Sequence, residues 1–81
     1  MNLSDIKELA VSDIKTEGNA IVEATVLNVY ANDVLQAEYR AEKFLAMVAK
    51  DNGEVVSTDR WETVKAGDGM AETWTIRFFA S

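Results

Sequence analysis

The sequence predicts an α+β fold in which a short N-terminal helix precedes a β-α-β-β unit. One helix is expected to pack on one face of a three-stranded, mainly antiparallel sheet. The first supporting observation is a capped helical pattern between Asp33 and Gly53. The second is that runs rich in Val, Ile, Thr and aromatic residues flank this stretch. The length of 81 residues predicts a single domain, with a helical segment at residues 1–18 and the β-α-β-β core at residues 20–80.

The N-terminal helix is predicted over residues 3–15. Apolar side chains such as Ile6 and Ile14 fall roughly on one helical face of this stretch. A helix this short is marginal in water and must dock on the rest of the protein to persist. The alternative is that Ser12 and Asp13 break the helix, so that Ile14 joins a strand.

The first strand is predicted at Ala20 to Ala31, after a turn at residues 16–19. The alternation of its side chains changes midway, which a β-bulge or a partial cover of both faces would explain. One apolar set suggests one buried face and a second set suggests the other: first Val22, Ala24 and Val26, then Leu27 and Val29.

The helix from Asp33 to Gly53 is the element about which the other predicted elements are arranged. Asp33 is a suitable N-cap, Gln36 completes a capping-box pattern, and Gly53 suits the position after the helix end. An apolar stripe with three- and four-residue spacing is expected to face the sheet. Its members are Val34, Ala37, Ala41, Phe44, Leu45 and Val48.

A second, smaller apolar set lies on the same helix, away from the stripe. A helix packed once on a sheet does not need such a set. We therefore expect either the helix at residues 3–15 or a partner protein to cover it. The set consists of Leu35, Tyr39 and Ala46, bordered by Glu38 and Glu42, which are expected to be solvated, while Met47 is isolated among the polar positions.

The remaining strands are predicted at Glu54 to Lys65 and at Met70 to Ala80. An irregularity is expected at Asp59 and Arg60, and residues 66–69, with the sequence Ala-Gly-Asp-Gly, are a hairpin signal. The last strand alternates strictly between a helix-facing set and an open-face set. The first set is Trp74, Ile76 and Phe78, and the second is Thr73, Thr75, Arg77 and Phe79.

The composition excludes several kinds of site. The chain contains no His and no Cys, which excludes imidazole and thiolate catalysis, disulfides and the usual zinc ligands. We expect a protein without enzymatic activity, cofactor or metal. The first residues lack a signal-peptide pattern, and no apolar run approaches the ~20 residues of a membrane span. We expect a cytoplasmic location without membrane contact.

The charge of the chain is acidic and unevenly distributed. The net charge of −6 disfavours direct binding to the phosphates of nucleic acids. Acidic residues outnumber basic ones eight to three in residues 1–42 and six to five in residues 43–81. An acidic half can steer a protein towards a basic surface. The alternative is that the charge only aids solubility.

Part of the chain resembles a class of small phage-encoded inhibitors. The resemblance lies in the run Val29 to Asp33, in Ala37 and Ala41-Glu42, and in residues 53–55. These residues are similar to the strand–helix–strand of phage RNA polymerase inhibitors and of anti-CRISPR proteins. The resemblance implies a stoichiometric blocker in the bacterial host cell that docks on a nucleic-acid-handling complex.

Two other resemblances, to a ribosomal protein and to a flavin-storing oligomer, imply different functions. Lys50 to Trp61 looks like the helix-to-strand passage of a small-subunit ribosomal protein, whose second helix has no counterpart in this sequence. The β-α-β-β order is also similar to dodecin, a flavin-storing oligomer, although the long N-terminal segment departs from that pattern.

The expected function is non-enzymatic protein binding, as an inhibitor of a complex such as a CRISPR effector or RNA polymerase. The partner would be a host protein or ribonucleoprotein complex, bound on its basic surface. The alternative is a self-assembling domain, for instance a homodimer, that uses its open sheet face or binds a small aromatic ligand on Trp61 or Phe79. The candidate partner-binding residues are Asp5, Glu8, Asp13, Glu38, Tyr39, Glu42, Arg77 and Phe79.

Overall fold

A computed structural model describes residues 8–66 and 73–81, and within them one helix covers one face of a five-stranded sheet. The elements are β1 (Ala10–Glu17), β2 (Ala20–Tyr30), α1 (Val34–Asp51), β3 (Val55–Val56), β4 (Arg60–Ala66) and β5 (Thr73–Phe79). The sheet order is β1-β2-β5-β4, and the short β3 pairs in parallel with the start of β2. The other strand pairs are antiparallel, so the predicted α+β class, with a helix on a mainly antiparallel sheet, is confirmed.

The predicted N-terminal helix is wrong over the described residues, because Ala10–Glu17 forms strand β1. β1 pairs with β2 through a tight turn at Gly18 and Asn19, where Gly18 has a φ of 62°. Ile14 lies in a strand as the alternative expects, but Ser12 and Asp13 belong to that strand and do not end a helix in the described residues. A strand at this position forms backbone hydrogen bonds along the edge of the long strand β2, and this pairing is more stable than a short isolated helix. Residues 3–7 of the predicted helix lie outside the described residues.

The predicted sheet of three strands is wrong, because β1 adds a strand and the stretch after the helix forms two strands. β3 pairs with β2 near Ile21, and Ser57 N donates to the Ile21 carbonyl at 2.8 Å. The chain then crosses the end of β5, where Asp59 N donates to the Phe79 carbonyl at 3.1 Å, and continues as β4. The irregularity expected at Asp59 is confirmed. The hairpin signal at residues 66–69 lies largely outside the described residues.

The bulge predicted in β2 is confirmed by a register shift between Val26 and Val29 in the pairing with β5. Asn28 has a φ of 61° at this point, and its side-chain amide donates to the Glu8 carbonyl at 2.9 Å. Asn tolerates this left-handed backbone better than most residues do. The expected change of face is wrong, because the bulge returns Val29 to the helix side of the sheet, opposite Trp74.

Helix α1 begins and ends where the capping pattern predicts. Asp33 Oδ1 accepts a hydrogen bond from Gln36 N at 2.8 Å. Gln36 Oε1 accepts in return from Asn32 N at 2.7 Å, one residue before the cap. At the other end Asn52 is the C-cap, and Gly53 follows with a φ of 70° that suits glycine.

Replacing the N-cap residue Asp33 tests how much its hydrogen bond to Gln36 N stabilises the protein. We expect Asp33→Ala to lower the free energy of unfolding by about 1 kcal/mol, because the Gln36 N–H loses its acceptor. Urea denaturation followed by circular dichroism measures the change. Asp33→Asn is the control, since it keeps an acceptor oxygen and should stay within about 0.5 kcal/mol of the wild type. Equal losses in both variants would contradict the capping role.

The face of α1 that packs on the sheet is narrow and consists mostly of alanine. The predicted stripe misses Ala49, includes the exposed Val34, and includes Phe44 and Val48, which are only half-buried. Small side chains let the helix approach the sheet closely, and the larger sheet residues fill the core. The buried helix residues are Ala37, Ala41, Leu45 and Ala49, and the sheet side includes Ile21, Ala24, Val26, Val29, Ile76 and Phe78.

Strand β5 shows the alternation that its sequence predicts. Ile76 and Phe78 are buried under the helix, and Trp74 packs beside them. The Trp74 indole N–H donates to the Ala31 carbonyl at 3.1 Å. Arg77 lies on the opposite, open face, half-exposed. In the part of the chain that the structure describes, no helix is long and apolar enough to cross a lipid bilayer.

Candidate functional site

A groove runs along one flank of α1, because the helix packs mainly on β2, β3 and β5 and reaches β4 through the Glu38 side chain. The groove has a volume of about 540 Å³, within the range of about 300–1,000 Å³ that is usual for ligand sites. It joins the second apolar set of the helix to Trp61 at the start of β4. Its lining residues are Leu35, Glu38, Tyr39, Glu42, Leu45 and Ala46 from α1, Val56, Thr58 and Trp61 from the β3–β4 segment, and Phe78 from β5.

The walls of the groove expose large apolar side chains. Leu35 is 75% exposed, Tyr39 60% and Trp61 54%. The predicted cover of this flank by residues 3–15 is wrong for the described part, since β1 lies at the opposite edge of the sheet from β4. Contiguous exposed apolar surface of this kind is typical of a binding site.

Glu38 links the two walls of the groove. Its Oε2 accepts hydrogen bonds from the Trp61 indole N–H and from the Thr63 hydroxyl, the latter at 3.2 Å. Glu38 was expected on a solvated flank, but it is half-buried because strand β4 supplies these two donors. The carboxylate therefore fixes the orientation of the Trp61 ring across the groove.

Glu42 and Tyr39 lie at the mouth of the groove, and both are exposed. Glu42 has no ion-pair partner among the described residues. Lys43 Nζ lies 5.3 Å from the centre of the Tyr39 ring, a cation–π distance, but it is not part of the lining. The lining contains two carboxylates and, among the described residues, no cation. The described lining itself therefore carries only negative charge, with the Lys43 cation beside its Tyr39 ring.

The open face of the sheet carries a row of charged side chains that crosses the strands. Arg77 Nη2 lies 3.3 Å from Glu23 Oε1, and Arg77 Nη1 lies 3.3 Å from Glu62 Oε2. Lys15 Nζ continues the row, 3.7 Å from Glu23 Oε2. The Arg77 guanidinium also lies 4.4 Å from the centre of the Phe79 ring. This face presents paired charges beside the half-buried Phe79 and the exposed Val64.

The predicted partner-binding residues lie in separate parts of the molecule. Two of them, Arg77 and Phe79, are engaged with each other on the open face. The others divide between the groove and the far edge of the sheet. Glu38, Tyr39 and Glu42 line the groove, Glu8 and Asp13 are exposed in or beside β1, and Asp5 lies outside the described residues.

Of the lining residues that are not among the predicted candidates, Trp61 and Leu35 are largely exposed. The interpretation of Trp61 as a ligand platform on the open face is wrong, because Trp61 lies on the helix side, opposite the buried Phe78. The two-residue alternation of β4, which places Trp61 and Thr63 on one face, is the signal that could have found it. Leu35 was recognised as surplus apolar surface, and its high exposure marks it as part of the site.

A smaller cleft of about 320 Å³ lies where the chain leaves β5. Asp59 accepts a hydrogen bond from the Ser81 hydroxyl at 2.7 Å and another from the Ser81 backbone N–H at 2.8 Å. These two bonds, the hydroxyl's first, lower the pKa of the Asp59 carboxyl below its usual value, because they stabilise the ionised form. The contact ties Ser81 to the segment that crosses the end of β5.

The Asp59 contact predicts a pH dependence of stability. The folded state lowers the pKa of Asp59, so its stabilisation is complete above about pH 4 and is lost as the pH falls through the folded pKa. We therefore expect Asp59→Asn to destabilise the protein near neutral pH and to approach the wild type below about pH 4. Urea denaturation at a series of pH values measures the difference. Ser81→Ala, which keeps the backbone donor, should retain part of the effect, and a difference independent of pH would contradict the assignment.

Among residues 8–66 and 73–81, no group of three or more His, Cys, Asp or Glu side chains is placed to hold a metal ion. Comparison with known protein families, with curated proteins and with solved structures finds no match to this chain.

Proposed function

We propose that this protein is a non-enzymatic binding protein whose partner docks in the groove between α1 and β4. The observation that carries the proposal is an apolar groove whose lining includes two carboxylates and, in the described chain, no cation. Tyr39 and Trp61 expose their rings there, and Tyr and Trp are among the residue types most enriched at binding hot spots. A partner would desolvate these rings and the neighbouring Leu35 together.

The charge of the molecule supports a partner with a basic surface. The whole chain carries a net charge of −6, and the carboxylates of Glu38 and Glu42 lie within the apolar lining. Complementary charge accelerates association and rejects acidic competitors. Because exposed charges are screened by salt, we expect the affinity to fall as the ionic strength rises.

The resemblance to phage-encoded inhibitors supports a narrower form of the proposal. In that form the protein is an inhibitor in a bacterial host cell, docked on the basic surface of a nucleic-acid-handling complex such as RNA polymerase or a CRISPR effector. An acidic protein on such a surface competes with nucleic-acid phosphates for the same lysine and arginine side chains. The inhibitor itself needs neither a cofactor nor direct contact with nucleic acid.

Affinity capture with a matched pair of variants tests the proposal. The protein is immobilised and exposed to a bacterial lysate at low salt. The groove variant combines Tyr39→Ala with Glu42→Lys. The control combines Ile14→Ala with Glu17→Lys, both in β1 at the opposite edge of the sheet, which removes an exposed apolar side chain and reverses one charge away from the groove.

We expect the wild type and the control to retain the same partner and the groove variant to lose it. Retention should decrease as the salt concentration rises from about 0.05 M to about 0.5 M, where the Debye length falls several-fold. Circular dichroism verifies that both variants are folded. A partner retained equally by all three proteins, or none retained by the wild type, would contradict the proposal.

A further inference from the structure

We infer that the partner enters the groove as an extended segment that pairs with the edge of β4 and places a cationic side chain between Trp61 and Glu42. This inference rests on the proposed function and specifies how the groove is occupied. It follows from three observations: the regular edge of β4, the alternation of its side chains, and the unpaired charge at the groove.

Strand β4 lies at the end of the sheet order, and no described strand lies beyond it. It pairs with β5 in a continuous register, from Arg60 opposite Phe79 to Ala66 opposite Thr73, without a bulge. An edge strand directs alternate backbone N–H and C=O groups away from its neighbour. A regular edge of this length can template a further strand, as in complexes formed by β-augmentation.

The other edge of the sheet, strand β1, is less suited to this role. Its pairing with β2 shifts register between Ser12 and Lys15 and again between Lys15 and Thr16. Asp13, within the first shift, has a φ of 54°. Irregularities of this kind bend an edge strand and discourage pairing with another chain.

Alternate side chains of β4 lie on the side of the sheet that carries the groove. Trp61 and Thr63 lie on the helix side, opposite Phe78 and Ile76. A strand added beside β4 would lie about 4.8 Å further out, and every second side chain would be on the same side as Trp61. These side chains would pass over the indole towards the flank of α1, where Glu42 is exposed.

The chemistry of this position favours a cation, and arginine in particular. A guanidinium can stack on an indole face and pair with a carboxylate at the same time. Glu38 already holds the Trp61 indole N–H, so the ring is oriented before the partner arrives. Glu42 has no ion-pair partner among the described residues and is available to the incoming charge.

A second copy of this chain fits the groove less well than a basic segment. Each copy carries a net charge of −6 over the whole chain, so two copies repel each other. Lys65 of β4, the groove-side cation that a second β4 strand could offer, already lies 5.7 Å from the Trp74 ring centre in its own chain. The occupant is therefore a basic, extended segment of another protein.

Selection from a random peptide display library on the immobilised protein tests the inference. We expect enriched peptides to carry Arg or Lys at alternate positions among β-branched residues and to lack Pro. An enriched peptide of about nine residues is then synthesised in two versions, one N-methylated at its odd-numbered amides and the other at its even-numbered amides. Only one of these two groups of amides forms hydrogen bonds when a strand is added. We expect one methylated peptide to lose at least about tenfold in affinity and the other to keep it.

Two measurements on the complex complete the test. Amide hydrogen exchange should slow within residues 60–66 and remain unchanged in β1. Affinity should fall about tenfold or more in Trp61→Ala and in Glu42→Lys, the second of which alters only an exposed side chain. The control Glu17→Lys should leave the affinity within about twofold of the wild type.

Each outcome separates this inference from the proposed function. Groove-dependent binding with equal effects of the two methylations, or with unchanged exchange at residues 60–66, overturns strand addition and leaves the groove as a binding site. Enrichment of acidic or proline-rich peptides also overturns it. If no peptide is enriched while lysate capture depends on the groove, the extended occupant is wrong and the proposed function stands. If neither assay depends on the groove, both are wrong.

Discussion

Replacing Leu45 by Ala is expected to lower the free energy of unfolding by about 2–5 kcal/mol. Leu45 is 1% exposed and is the one large side chain among the four buried residues of α1. Its removal loses the transfer free energy of the buried methyl groups and leaves a cavity between the helix and the sheet. The neighbouring Ala37, Ala41 and Ala49 are too small to fill that cavity.

Leu35→Ala is the matched control for this experiment. It makes the same chemical change in the same helix, but Leu35 lies in the groove wall and is largely exposed. We expect a change in stability of no more than about 0.5 kcal/mol. Urea denaturation, with an unchanged dependence on denaturant concentration, measures both variants. Similar losses at the two positions would mean that α1 is not oriented as described.

A loss of several kcal/mol would be large for a chain of this size, because small domains are stable by only about 5–15 kcal/mol. Leu45→Ala is therefore expected to leave a protein that unfolds at low urea concentrations. Leu35→Ala is expected instead to weaken capture of the partner while the fold is retained. The two variants thus separate the apolar side chains that stabilise the protein from those that bind.

The helix was the most predictable element because its signals are local. The Asp33 and Gln36 pair, and Gly53 after the last turn, act within a few residues of chain, and the structure reproduces each of them. The strand state of Ala10–Glu17 was predictable only as an alternative, in which Ile14 joins a strand. The periodicity of this stretch fits a helix, and its pairing with β2 is a contact that no local pattern encodes.

The part of the candidate site that lies on the helix was predictable from the sequence, and the part that lies on β4 was not. Helical spacing alone placed Tyr39 beside Glu38 and Glu42, and all three line the groove. The position of Trp61 depends on the sheet order, because β4 pairs with the outer side of β5. The hydrogen bond from Trp61 to Glu38 joins residues far apart in sequence and follows from the same pairing.

The second large effect is expected at Ala41, which is fully buried where α1 meets the sheet. Ala41→Leu adds a branched side chain at a contact that is already closed, so the helix must move outward or its neighbours must leave their preferred rotamers. We expect a loss of about 1–3 kcal/mol or more in the free energy of unfolding. The loss is due to packing, because Ala and Leu both have high helix propensity.

Ala46→Leu is the control for this overpacking, because it makes the same change on the exposed groove side of the same helix. We expect its stability to stay within about 0.5 kcal/mol of the wild type. Thermal and urea denaturation of both variants measure the contrast. The added side chain narrows the groove beside Tyr39, so Ala46→Leu should also reduce partner capture without unfolding the protein. Equal destabilisation at the two positions would contradict the assignment of one face to the core and the other to binding.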